Sequence, residues 1–315
     1  MSGGGPVAPA WEPCREALVG LARADPGIVL LEADLPLLTP APSAVARLGS
    51  RLERAEGDAA AVLGQAASRA SGGRIVFVAL SADLLAAGGL VPARQRIARP
   101  RAAVKIVGGP RGATGRSGEE PPLLGEDLDV MRAVPGMTVA APADGPSAST
   151  ALLAVAARDG PAYVRLPSAD ARTVTGGRFA LGRAEELRSG SDLAIVAYGG
   201  AVARALDVAG ALARGGVSAR VLDVASLKPL DEAAVLRAAR DTGAVLTMEE
   251  HALLGGIGET VAAAVAENAP VPVRRVGVPD VFVGPGAAEL DRAGLGAERA
   301  LDEAWELLRL RGKVQ

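Results

Sequence analysis

A single histidine, His251, stands in the 315-residue chain. It sits in the run Thr-Met-Glu-Glu-His-Ala-Leu-Leu-Gly-Gly-Ile-Gly-Glu at 247–259. An imidazole beside Glu249 and Glu250 has the composition of a proton-transfer centre, because neighbouring carboxylates orient the ring and move its pKa across neutrality. The same stretch offers no serine or cysteine nucleophile and no second metal ligand. Its place after an apolar run and before a glycine turn fits a residue that bonds backbone groups at the turn, so His251 reads as architectural.

Two glycine-rich stretches invite a phosphate-binding reading and fail it. In Gly-Gly-Pro-Arg-Gly-Ala-Thr-Gly-Arg-Ser-Gly (108–118) the glycine spacing is wrong for a P-loop and Arg116 stands where lysine is required. Tyr-Gly-Gly-Ala-Val-Ala-Arg-Ala (198–205) does not complete the dinucleotide fingerprint. Gly57-Asp58-Ala59 begins like the Gly-Asp-Gly…Asn signature that holds magnesium in thiamine diphosphate enzymes. The final glycine is missing, and the only asparagine is Asn268. The sequence therefore predicts no metal site within this chain.

The totals bound what can surround these residues. Apolar residues make up 49%, charged residues 22%, and the net charge is −2, which argues for a globular protein and against a nucleic-acid surface. Aromatic residues are only 2%, so cores must be built from small side chains. The lone Cys14 excludes an internal disulfide and multi-cysteine zinc sites. The start of the chain lacks a basic segment leading into an apolar run, and no apolar stretch approaches the ~18–20 residues of a membrane span. The expected setting is cytoplasmic, without membrane contact.

Short β-branched runs alternate with alanine-rich helical patterns, the mark of parallel sheets covered by helices. Strands are predicted at 27–34, 74–80, 102–108, 137–143 and 161–167, with helices at 11–24 and 58–71 among them. A second series places strands at 192–200, 217–227, 243–250 and 272–278, separated by helices at 201–214, 231–241, 256–268 and 297–311. The fold class is α/β with two doubly wound domains. Their expected bounds are 11–167 and 191–315, joined by a linker at 168–190 that holds a short extended piece.

The run Leu-Asp-Val-Ala-Ser-Leu-Lys-Pro-Leu-Asp (222–231), the Glu-Glu-His…Gly-Gly-Ile-Gly stretch and Gly-Val-Pro-Asp (277–280) resemble the C-terminal domain of the transketolase family. That family includes 1-deoxyxylulose-5-phosphate synthase and the β chains of pyruvate dehydrogenase. Residues 103–109, 125–144 and 159–167 are similar to the pyrimidine-binding domain of the same family. The resemblance covers nearly the whole chain. It implies a pyrimidine-binding domain followed by a transketolase C-terminal domain. It also implies a separate diphosphate-binding subunit that mainly holds Mg2+ and the tail of thiamine diphosphate, in an α2β2 assembly.

The family's activating glutamate hydrogen-bonds the aminopyrimidine of that cofactor and so supports proton removal from the thiazolium carbon. By register with Gly-Gly-Arg-Ile-Val-Phe-Val (72–78), its position falls on Ala59, with Glu56 and Asp58 as neighbouring carboxylates able to take the role. Ser81 and Leu84 fall where relatives place aromatic rings against the pyrimidine. Pro110 and Pro122 fall where they place histidines. The resemblance thus implies a two-carbon ketol transferase subunit with a depleted pocket. The alternative is a non-catalytic scaffold or regulatory partner of the diphosphate-binding chain; a pyruvate-dehydrogenase-type β chain fits less well, since such chains keep the glutamate and the rings.

Overall fold

The computed structural model describes residues 9–35, 37, 42–109, 126–281 and 294–312; the side chains of 9, 42–44 and 126 lie outside that description. The described residues divide into two compact units, those of 9–109 with 127–181 and those from 182 onward.

In the first unit the order is α1 (Glu12–Ala24), β1 (Ile28–Glu32), α2 (Pro42–Leu48), β2 (Leu52–Arg54), α3 (Ala59–Ala70), β3 (Ile75–Ser81), α4 (Ala82–Gly88), α5 (Leu90–Pro92), β4 (Val104–Gly109), α6 (Glu126–Ala133), β5 (Thr138–Ala140), α7 (Gly145–Ala156) and β6 (Ala162–Arg165). Its six strands lie side by side in the order β5-β6-β4-β3-β1-β2, and the pairings are parallel. β1 and β4 are buried along their whole length. That explains why they read as near-continuous apolar runs, interrupted only by Lys105 and closed by Glu32, and not as alternating ones. The α1 residues Cys14, Leu18, Val19 and Ala22 are buried on one stripe, and they pack with Ala148, Ala151, Leu152 and Val155 of α7 in one core cluster. Burial pushes the Cys14 thiol up to about 12, so it is a packing group and not a nucleophile.

Two sequence expectations change here. The predicted strand at 137–143 ends at Ala140, because Pro142 cannot donate to a ladder and Asp144 starts a helix that periodicity did not reveal. Asp144 forms a capping box with Ser147 over the first turn of α7, with Pro146 in that turn, where a missing N–H costs nothing. Inside the sheet, Lys105 near the start of β4 is 1% exposed. Its Nζ donates to the carbonyls of Arg158 and Gly160, both at 2.6 Å, while burial lowers its pKa to about 8.

The second unit contains β7 (Glu185–Arg188), β8 (Leu193–Ala197), α8 (Ala201–Arg214), β9 (Ala219–Asp223), β10 (Ser226–Lys228), α9 (Glu232–Thr242), β11 (Val245–Ala252), α10 (Ile257–Asn268), β12 (Val273–Val278) and α11 (Ala297–Leu310). Its sheet runs β12-β11-β8-β9-β7, parallel except for the edge pair β7–β9. The predicted 217–227 strand is two pieces, β9 and β10. In both units the first central strand has its successors on opposite sides, an order that places helices on both faces of the sheet when its crossovers share one hand. The α/β architecture with two parallel-dominated sheets is as expected. Among the described residues, no helix is long and apolar enough to cross a membrane.

Candidate functional site

In an open parallel sheet, ligands bind beyond the carboxyl ends of the strands where the winding reverses. In the first unit that point lies between β1 and β3, since the chain leaves β1 toward β2 and returns to β3 on the other side. Glu32, the last residue of β1, is only 4% exposed. Its carbonyl accepts from Ala55 N at 2.7 Å, and Ala33 N donates to Ala79 O at 2.8 Å. These two bonds bring the ends of β1, β2 and β3 together.

Across this reversal point Asp34 and Ser81 are clasped. The Asp34 carboxylate accepts from Ser81 N at 2.8 Å and from the Ser81 hydroxyl. The same hydroxyl accepts from Leu84 N at 3.0 Å as the N-cap of α4. Ser81 therefore has its donor and one acceptor site engaged and is 1% exposed, whereas Leu84 is half-buried. Sequence reading passed over Glu32 and Asp34. The available signal was their position, two acids at the carboxyl end of a strand that is otherwise entirely apolar.

The segment between β2 and α3 carries the other candidates. Asp58 is the N-cap of α3, its Oδ1 accepting from Ala61 N at 2.8 Å. Gly57, at φ +108, makes the turn into that cap, and a Cβ there would stand 2.8 Å from the Ala61 methyl. Ala59 follows as the first helical residue, 2% exposed, so the register that aligns it with the family's glutamate puts a buried methyl at that place. Glu56 is exposed. Its carbonyl accepts from Gln65 Nε2 at 2.9 Å, and its carboxylate makes no bond among the described residues. The helix start thus brings Glu56, Asp58 and Ala59 to the sheet edge that holds Ser81, and it separates them by task. Pro110 and Pro122 lie outside the described residues.

A second polar group sits two strands away. Tyr163 of β6 is fully buried, and its hydroxyl donates to Asp127 at 2.5 Å. Arg165 donates to the other Asp127 oxygen at 3.2 Å. Burial first, and then the Asp127 charge, raise the Tyr163 pKa well above its ordinary value; the phenol is a fixed donor. A Cβ on Gly108 would meet its hydroxyl at 2.2 Å, which accounts for the glycine on β4.

The winding of the second unit reverses between β8 and β11, and Glu249 fills that place. Fully buried, its carboxylate accepts from Ile257 N at 2.9 Å and Gly258 N at 3.2 Å, with the Tyr198 hydroxyl at 3.4 Å. A carboxylate there complements the positive end of the α10 dipole. A Cβ on Gly256 would come within 2.4 Å of a carboxylate oxygen and on Gly258 within 2.7 Å, while on Gly277 it would stand 3.0 Å from the Glu249 Cγ. Glu250 pairs with Arg204 at 3.4 Å. The Glu-Glu-His…Gly-Gly-Ile-Gly run is accordingly a packing motif built round one carboxylate. His251 is buried completely within β11. Among the described residues no group of three or more acidic, histidine or cysteine side chains is arranged to hold a metal.

Comparison with known proteins places the chain. The family described as "Transketolase, C-terminal domain" matches residues 182–299. The 6-deoxy-6-sulfo-D-fructose transketolase subunit of Clostridium sp. (strain MSTE9) is 36% identical over 300 residues, covering 93% of this chain and 92% of that one. A putative transketolase C-terminal section of Methanocaldococcus jannaschii is 33% identical over 281 residues, 87% of each chain. Among solved structures, a split gene transketolase described as an inactive beta4 tetramer superposes with a TM-score of 0.87 at 35% identity, over 97% of this chain and 99% of that one.

Proposed function

The chain belongs to the transketolase family, and from that premise we propose that it is the C-terminal (β-type) subunit of a split, thiamine-diphosphate-dependent transketolase. It moves a two-carbon ketol unit when joined by a separate diphosphate-binding chain. Two relatives named as a transketolase subunit and a C-terminal section, each matched over most of its length, support the division of labour. In this reading the partner holds Mg2+ and the diphosphate in an α2β2 assembly, and residues 11–167 carry the pocket for the aminopyrimidine ring. When bound, the cofactor supplies a nucleophilic carbon and an electron sink.

The chain's own part is to orient that ring and keep a carboxylate near its nitrogens. Asp58 is occupied as a helix cap, Ala59 has no acid, and Asp34 is taken by Ser81. Glu56 is left as the exposed acid without a described bond at this edge, and that observation carries the assignment of the proton-handling role to it. Ser81 and Leu84 flank the ring in place of aromatic residues, so the ring is held by a hydroxyl-capped helix start and an aliphatic side chain. In a depleted pocket of this kind the cofactor binds through the partner's diphosphate grip more than through stacking.

The test is co-expression with a diphosphate-binding chain and assay of ketol transfer. Glu56→Gln should lower turnover by about 10²-fold, while the isolated chain binds thiamine diphosphate only weakly in calorimetry. An unchanged rate removes Glu56 from the mechanism. No turnover by any reconstituted pair, together with stable complex formation, selects the non-catalytic scaffold, the reading favoured by the spent Asp58 and the buried Ala59.

A further inference from the structure

Residues 168–181, expected to begin a linker, belong to the first unit and contain no helix or strand. Their attachment is mostly polar. Trp11 Nε1 donates to Pro167 O at 2.9 Å just ahead of the segment. Asp144 Oδ2 then accepts from Val174 N at 2.9 Å and Thr175 N at 2.7 Å, and the Thr175 hydroxyl bonds the same carboxylate at 2.9 Å. Gly177 N donates to Thr175 Oγ1 at 3.2 Å, and Gly177 O accepts from Thr150 Oγ1 at 2.7 Å. Phe179 and Leu181 rest, partly buried, on the core cluster.

Within 168–181 only Thr175 is buried. A segment with little buried apolar surface has a low free energy of local opening, set chiefly by the polar bonds that fasten it. Here the bonds from Val174 and Thr175 converge on one fully buried carboxylate, which also caps α7 and stands near Cys14 and Ser147. We propose that residues 168–181 are a strap latched by Asp144, which opens as a unit while the sheet and helices of the first unit stay folded. Opening frees the strap from Val174 to Gly177 and leaves the α1–α7 packing around Cys14 intact, because that packing is apolar and belongs to the core.

Amide hydrogen exchange on the full chain, read beside labelling of the single thiol, tests this. In the unaltered chain the amides at 174, 175 and 177 should exchange at least about tenfold faster than those of β3 and β4. Thr175→Val removes the hydroxyl from the latch without touching the cap of α7. It should speed exchange at 174 and 177 by about tenfold more, while labelling of Cys14 by a thiol reagent stays within about twofold of the unaltered rate. Asp144→Ala should do the same more strongly, with Cys14 reporting whether the unit itself has loosened. The strap is not separate from the core if its amides exchange no faster than those of β3 and β4. Asp144 and Thr175 are not its latch if Thr175→Val leaves exchange unchanged, or if Cys14 labelling rises in step with it.

Discussion

The two units present the same topological feature and treat it oppositely. Each has a winding reversal at the carboxyl edge of a parallel sheet, and in each a carboxylate accepts from backbone N–H groups there. In the second unit Glu249 is fully buried and three glycines give it room. In the first, Asp34 holds Ser81, Asp58 caps α3, and Glu56 remains exposed beside them. A reversal point is therefore a place where a ligand can bind, and a protein closes it by supplying its own anion. The densest motif of the chain marks the closed one.

Glu249→Ala should have the largest effect on this contrast. It takes the carboxylate acceptor away from Ile257 N and Gly258 N in a buried space, at roughly 1–3 kcal/mol for each unsatisfied group. The second unit should lose about 3 kcal/mol or more in urea unfolding followed by Trp305 fluorescence. A loss below about 1 kcal/mol would mean that water enters and that this reversal point is as open as the first. Gly258→Ala should come next. Its methyl would stand 2.7 Å from both Glu249 Oε1 and Thr247 Oγ1, and overpacking of this kind costs about 1–3 kcal/mol.

In the first unit the comparison predicts smaller losses. Asp34→Ala releases Ser81 N and the Ser81 hydroxyl at about 1–2 kcal/mol, because the α4 cap from Ser81 to Leu84 survives. Asp58→Ala should cost about 1 kcal/mol, the ordinary value of an N-cap, and Asp58→Asn much less, since an amide oxygen caps nearly as well. Equal and large losses for Asp58→Asn and Asp58→Ala in thermal unfolding would show that its charge, and not its acceptor oxygen, matters at this edge.

The sequence made the class of fold legible because buried parallel strands are written as apolar runs and helices as 3.6-residue patterns. The helix at 201–214 has the limits predicted, and β8 lies inside its predicted run. What stayed hidden depends on partners far along the chain. Nothing near Asp34 announces Ser81, 47 positions away, and nothing near Thr175 announces Asp144, 31 positions away. A polar, glycine-containing stretch with no periodicity reads as a linker whether or not a distant carboxylate ties it down. Asp58 was legible in principle: an acid directly before an alanine-rich periodic run is an N-cap signal, and that reading separates it from Glu56 without coordinates.

Glu56→Gln is the smallest expected effect on stability, and it discriminates most sharply. The side chain is exposed and makes no bond among the described residues, so the substitution removes one solvated charge and should move the unfolding midpoint by no more than surface changes do, within about 0.5 kcal/mol. Functional and structural acids at one edge then separate on two axes. Asp58→Ala lowers stability, with activity of the reconstituted pair following the folded fraction. Glu56→Gln leaves stability alone and lowers turnover. If Glu56→Gln instead destabilises the first unit by more than about 1 kcal/mol, the residue has a folding task like its neighbours. The edge then holds no uncommitted acid, and the two reversal points are closed alike.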